Sequence, residues 1–244
     1  MRRGRDRLVI TCEHAGNVVP ERYRPLFAGH EDLLPTHRGW DLGALLLARE
    51  MAERFEAPLY FDETTRLLAD LNRSVGNPEL HSEATRHLSL RQRRELLDAY
   101  YHPHRKRVDA AMADAVATGD RVVHIASHSF TPELNGQVRT ADVGMLYDPG
   151  RPGEVAFATA WIGALRRADP TLRLRRNYPY IGKSDGVAQV LRRVHPADRY
   201  VGLELEVNQR YVEVGGAEWP KLRRTLVETL AVALQVRGGT GSDG

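Results

Sequence analysis

The sequence predicts an α/β fold, a mostly parallel or mixed central sheet with helices on both faces, and two observations lead there. Short β-rich runs and helical patterns interleave along the chain, as they do when crossover helices join strands of one sheet. The 244 residues, 42% apolar and 27% charged, suit one medium domain able to bury a core, and neither an internal repeat nor a linker divides them. The expectation is a single domain over residues 1–237 with one core. A disordered tail of Gly, Ser, Thr and Asp is expected at 238–244.

Residues 8–12, Leu-Val-Ile-Thr-Cys, read as a first strand ended by Glu13-His14-Ala15-Gly16-Asn17. His14 is thereby set just past the carboxyl end of a strand, the edge at which open α/β sheets carry their sites. Gly39-Trp40-Asp41 opens a helical pattern over 42–55, so Asp41 stands at a helix start. A second strand is expected at 58–61 and a third at 66–71, stopping at Asn72-Arg73-Ser74. The polar stretch 74–86, with Gly76, Asn77 and Pro78, is long enough for a functional loop. Helix follows over 89–118, reset around Pro103. A strong buried strand at 122–126 leads into the loop 127–132, which carries His128. Further strands are expected at 143–147 and 172–178, and helices at 154–167 and 187–193. Residues 201–207 alternate with period two, and 219–236 form a closing amphipathic helix.

Composition narrows the function classes. Cys12 is the only cysteine, which excludes a disulfide framework and a thiolate zinc cluster and fits a reducing cytoplasm. The apolar stretch behind the basic start is too short for a signal-peptide core, and no later run approaches a membrane span. Net charge is only +3. The clusters Arg91-Gln92-Arg93-Arg94 and Arg173-Leu174-Arg175-Arg176 read as solvated surface, since no nucleic-acid motif accompanies them. A Gly-x-Ser-x-Gly elbow and a glycine-rich phosphate loop are both lacking.

Four polar signatures remain, each beside or inside an apolar run: Glu13-His14, Asp70-Leu71-Asn72-Arg73, His128 and Glu206. A lone loop histidine is usually unremarkable, but two at strand ends suggest a hydrolytic zinc with three protein ligands and one open position. The third ligand is Asp41 or Glu13. Asp41 is favoured, because strand alternation points Glu13 away from His14, although an Asp at a helix start is also an ordinary cap. Glu204 and Glu206 share one face of an apolar strand. If that strand is interior, such a carboxylate must be paired, near a metal or at a wet cleft, which is where a general base belongs. Asn72-Arg73 can grip a carboxylate in two-pronged fashion or form a loop salt bridge. The loop 129–144, with Arg139 and Asp142, is positioned to cover the site.

Taken together, Cys12-Glu13-His14-Ala15-Gly16-Asn17, His37-Arg38-Gly39-Trp40-Asp41-Leu42-Gly43-Ala44, Arg66-Leu67-Leu68-Ala69-Asp70-Leu71-Asn72-Arg73, Ser127-His128-Ser129-Phe130-Thr131-Pro132 and Glu206-Val207-Asn208-Gln209 resemble the N-formylglutamate amidohydrolase family. The likeness runs from about residue 8 to 211, with five strings in the same order. That family is similar to the zinc carboxypeptidases and aspartoacylases, which implies a zinc carboxypeptidase-like fold and one Zn2+ per chain on His14 and His128. It further implies a clamp of Asn72 and Arg73 assisted by Arg66, with Glu206 as base; Arg139 joins the expected substrate-binding set. Relatives place a glutamate three residues after the first histidine, where this chain has Asn17, and Asp41 is the substitute looked for. Many members have an arginine two residues after the late glutamate, where this chain has Asn208. The partner implied is a small acidic N-acyl amino acid, by default N-formyl-L-glutamate, and neither a nucleic acid nor a membrane. The other readings are a metallopeptidase of short or modified peptides and an inactive metal-containing binding protein.

Overall fold

The computed structural model describes residues 6–235. The tail expected at 238–244 lies outside them. Six strands form one sheet in the order β2-β1-β3-β8-β6-β7: β1 Asp6–Cys12, β2 Leu59–Phe61, β3 Arg121–Phe130, β6 Val143–Leu146, β7 Leu174–Arg176 and β8 Tyr200–Asn208. Every pairing is parallel except β6 with β8. A short antiparallel hairpin, β4 Glu133–Leu134 and β5 Gln137–Val138, stands apart from the sheet. The helices are α1 Ala44–Phe55, α2 Leu90–Leu96, α3 His102–Ala117, α4 Pro152–Ala168, α5 Val187–Val194, α6 Arg210–Val214 and α7 Glu218–Gln235. None of them is long and apolar enough to cross a membrane.

Period-two alternation divides the sheet's residues between two packing layers. Leu8, Ile10, Val123, Ile125, Leu203 and Leu205 face α1, α4 and α7, where Trp161, Leu226 and Leu230 complete the larger cluster. Val9, Val122 and Tyr200 face the other way, against Val108 and Met112 of α3 and Leu191 of α5. Helices thus cover both faces. The expected single core is instead divided into three clusters. The third lies off the sheet, where Phe27, Leu67, Leu68, Leu80, Leu88 and Leu96 gather the irregular segments between β1 and α3.

That cluster explains why no strand forms at 66–71. Leu67, Leu68, Ala69 and Leu71 are all buried, without the alternation a strand would show, and the backbone turns locally, with Leu68 N donating to Thr65 O and Arg73 N to Asp70 O. A second difference concerns β3, which runs on to Phe130, so His128 lies inside a strand rather than in a following loop. Pairing with β8 along its whole length, from Val122–Tyr200 to Phe130–Asn208, keeps it extended. The helix expected at 89–118 is reset as anticipated: a π turn, Leu97–Tyr101, separates α2 from α3 just ahead of Pro103. A π turn is one way to accommodate the N–H that proline lacks.

Strand order places the site. From β1 the chain crosses to β2 on one side, then returns to β3 on the other, so the carboxyl ends of β1 and β3 flank the switch point where ligands of open α/β sheets bind. His14 and His128 arise there. Parallel register puts Glu206 of β8 directly opposite His128, on the same face and one strand spacing away.

Deeper in the same face, His124 is fully buried between two hydroxyls, with Thr11 Oγ1 at 2.9 Å from Nε2 and Tyr200 OH at 2.7 Å from Nδ1. Burial pushes its pKa down from 6.5 to about 4. The folded state therefore refuses a proton that the unfolded chain accepts below about 6.5. Stability should fall as pH drops from there toward 4, at up to roughly 1.4 kcal/mol per pH unit from this group. Urea denaturation of the metal-free protein should show a shallower pH slope for His124→Gln than for the parent chain, and equal slopes would refute the assignment.

Candidate metal centre

Asp41 is placed by a turn, not by a cap. Its amide donates to His14 O at 3.0 Å and its carbonyl accepts from Ala44 N at 3.1 Å, so the chain is doubled back on the end of β1 before α1 begins. Gly43, at φ 81°, makes that turn, and any Cβ there would sit 2.7 Å from Val212. With the helix start at Gly43, the Asp41 carboxylate is free of capping duty and turns inward.

There it meets both histidines. Asp41 Oδ2 lies 2.8 Å from His128 Nδ1 and 3.3 Å from His14 Nδ1, and it accepts from Ser129 N at 3.3 Å. One nitrogen from each ring and one Asp41 oxygen all lie within 4.8 Å of one another. Each ring has a second carboxylate behind it. His14 Nε2 is 2.7 Å from Asp70 Oδ1, and His128 Nε2 is 3.2 Å from Glu13 Oε2. Arg66 then ties the carboxylates together, with Nη2 2.7 Å and Nε 3.2 Å from Asp70 Oδ2 and Nη1 3.4 Å from Asp41 Oδ1.

The electrostatics are those of a cation site. Burial alone would lower the His128 pKa, but Asp41 and Glu13 on either side raise it well above the usual value. Burial would likewise raise the Asp41 carboxyl, and the two imidazoles hold it well below the carboxylate range instead. Asp70 is paired with Arg66, while Asp41 and Glu13 set buried carboxylates against the two imidazoles, with Glu204 and Glu206 on the neighbouring strand. A cation would offset that negative charge. The donor spacings of 2.8 and 3.3 Å also suit it, since ligands about 2 Å from a tetrahedral ion are roughly 3.3 Å apart. His14, Asp41 and His128 would hold such an ion, and Asp70 would fix the His14 tautomer from behind.

Glu206 is 4% exposed, and its Oε2 has no hydrogen-bond partner among the described residues. Burial pushes its pKa up to about 8, with Asp41 and Glu204 adding to the rise and His128 opposing it. Gly144 on the neighbouring strand faces it and leaves room for the carbonyl of Tyr178, which would lie 1.8 Å from a Cβ there.

Above this centre opens a cleft of about 430 Å³, lined by Asp41, Arg66, Asp70, Arg73, Ser129 and Tyr180 among others. His14, His128 and Glu206 are buried and do not line it. Arg66 lines the cleft while holding Asp70. Arg73 reaches it as well, with Nε donating to the exposed Glu79 at 3.0 Å, a loop salt bridge to a partner other than the nearby Asp70 or Asp62. Asn72 does not line it; its Oδ1 accepts from Val187 N at 2.7 Å and its Nδ2 lies 3.5 Å from His128 Nε2, behind the centre. Arg139 does not line it either and reaches it only through Tyr180, donating to Tyr180 OH at 3.3 Å and lying over that ring. Asn208 holds the base of its loop through the carbonyls of Arg139 and Ala141. Asp142 is turned away, buried against Arg173 and Arg210.

Sequence reasoning passed over three of these residues. Asp70 belongs to the Asp-Leu-Asn-Arg string, but its spacing gave no hint of a histidine partner 56 residues away. Strand alternation ranks Glu13 behind Asp41 as a ligand, but β1 ends at Cys12, and it is from the turn that follows that Glu13 meets the back of His128. Tyr180 carries no local signal; only tertiary structure brings it over the cleft.

Comparisons with known proteins bear on the family and the fold. The family model for N-formylglutamate amidohydrolase matches residues 6–212. A gene product of Agrobacterium tumefaciens, of known crystal structure, is 29% identical with a TM-score of 0.79 over 93% of this chain and 90% of that one. An N-formylglutamate amidohydrolase from Ralstonia eutropha shares the fold at 18% identity and a TM-score of 0.69, covering 94% of this chain and 93% of its own. No curated protein sequence matches. The chain belongs to the N-formylglutamate amidohydrolase family, hydrolases that act on amide bonds.

Proposed function

We propose that the protein is a zinc-dependent amidohydrolase of acidic N-acyl amino acids, with N-formyl-L-glutamate, cleaved to glutamate and formate, as its default substrate. The observation that carries this reading is the convergence of His14, Asp41 and His128 beside a buried Glu206 whose Oε2 has no hydrogen-bond partner among the described residues. Zinc bound there would supply a Lewis acid that polarises a carbonyl oxygen and acidifies a water. Glu206 takes a proton from the attacking water on its free Oε2 and delivers it to the leaving nitrogen, which breaks the amide. Arg66 and Arg73 line the cleft as planar donors for substrate carboxylates, with Arg139 behind Tyr180. The free, buried Cys12 suits a reducing compartment, and a cytoplasmic location is part of this reading.

The test is a panel of N-formyl, N-acetyl and dipeptide substrates on the zinc-loaded protein. Formate release from N-formyl-L-glutamate is expected, and the absence of hydrolysis across the panel would end the proposal. Faster cleavage of dipeptides would favour the metallopeptidase reading. Arg73→Ala should raise KM for acidic substrates by roughly tenfold with kcat little changed, the loss of one charge-assisted hydrogen bond. The Glu79 side chain that Arg73 holds is 71% exposed, and a pair of that kind is weak enough for a substrate carboxylate to displace.

A further inference from the structure

Both histidines of the centre are built alike, with one ring nitrogen toward Asp41 and the other toward a buried carboxylate. For His14 that carboxylate is Asp70, at 2.7 Å, and Arg66 balances its charge. For His128 it is Glu13, at 3.2 Å. Glu13 is fully buried, it has no arginine or lysine partner among the described residues, and neither of its oxygens has an aligned hydrogen-bond donor. A buried carboxylate left in that state costs several kcal/mol in general. A proton on His128 Nε2 satisfies it when the ring turns slightly. With a metal bound, the opposite ring nitrogen, Nδ1, would then offer its lone pair on the Asp41 side.

We propose that Glu13 is the positioning residue of the metal centre, fixing His128 as the Nε2–H tautomer and supplying the second negative charge that a dication requires. The inference rests on the zinc reading above but assigns a role to a residue outside the ligand set. Two features of the chain support it. Glu13 directly precedes His14, so the end of β1 delivers a ligand to one side and this carboxylate to the other. Besides His128, the charge of His104 and the Thr11 hydroxyl, which is within hydrogen-bonding influence of the carboxylate, act on it. His104 of α3 is itself buried with both ring nitrogens unpartnered, and it forms no ion pair with Glu13 among the described residues, whereas His128 does.

Zinc affinity measured by chelator competition on the full chain tests this directly. Glu13→Gln keeps the shape and removes the charge, and Kd for zinc should rise 10- to 100-fold, the usual loss when such a partner is removed. Glu13→Asp, which keeps the charge, should recover part of it, and His104→Phe should stay within about threefold of the parent chain. A Glu13→Gln chain that binds zinc as tightly as the parent overturns the proposal, as does an equal loss in His104→Phe. Should Glu13→Gln fail to fold, long-range 1H–15N correlation spectra of the zinc-loaded parent decide: the proton must be on His128 Nε2, and a proton on Nδ1 overturns it. A parent chain that binds no zinc sinks the metal reading itself, whereas tight binding and turnover in both parent and Glu13→Gln sink only this inference.

Discussion

Glu206→Gln is expected to lower kcat by two to four orders of magnitude, the usual contribution of a positioned general base, while zinc content and fold are retained. The substitution is isosteric and removes only the ability to take and return a proton. β8 lies between β3 and β6, so the side chain at 206 is held from both sides, opposite His128 on one strand and Gly144 on the other. Its unpartnered oxygen marks it as the group with an unmet demand for a proton. An inactive binding protein would lose little from this change. Loss of turnover with zinc retained therefore also discriminates between an enzyme and a binder. Glu204 provides the internal comparison. It occupies the same face of β8 but is paired with Ala126, one step deeper into the sheet, so Glu204→Gln should retain kcat within about tenfold, below the range for a general base. Formate release by both variants under saturating substrate settles the matter, and a Glu206→Gln chain with more than a tenth of parental kcat would remove Glu206 from the role.

Much of this centre was legible before folding because its residues sit at places where sequence patterns are strong. His14 ends a run of five β-formers, and period-two alternation put Glu204 and Glu206 on one face of β8, both of which the structure bears out. Asp41 was reached by ranking it above Glu13, and the structure sets its carboxylate against both imidazoles. What stayed hidden depends on long-range packing. The apolar run at 66–71 looks like a strand because its side chains are buried, yet they fill a cluster off the sheet, and a short run cannot reveal which partner buries it. The end of β3 was misjudged for a related reason. Ser127 to Phe130 is a poor strand by composition, and only pairing with the apolar β8 keeps it extended. The carboxylates behind the histidines were invisible because nothing local records which ring nitrogen a distant Asp or Glu will face.

His128→Ala should abolish metal binding and turnover together. In the parent chain, binding to the folded state alone adds RT ln(1 + [Zn]/Kd) to stability, or about 2.7 kcal/mol at a hundredfold excess over Kd. Its melting temperature should rise with added zinc. Truncating His128 removes one of the three donors and leaves Asp41 and Glu13 facing each other across the vacated space, two buried carboxylates whose imidazole partner is gone. Leaving buried charges uncompensated costs about 3–5 kcal/mol, so the variant's melting temperature should fall and no longer respond to zinc. The instability alone would not identify a ligand, because any core truncation on β3 destabilises. His124→Gln supplies the control. It lies on the same face of β3, four residues earlier, and contacts Thr11 and Tyr200 rather than Asp41. It too should lower stability, yet keep the zinc-dependent rise in melting temperature and the hydrolysis of N-formyl-L-glutamate. If His128→Ala keeps the zinc response while His124→Gln loses it, the metal is held elsewhere on this sheet edge and the ligand assignment fails.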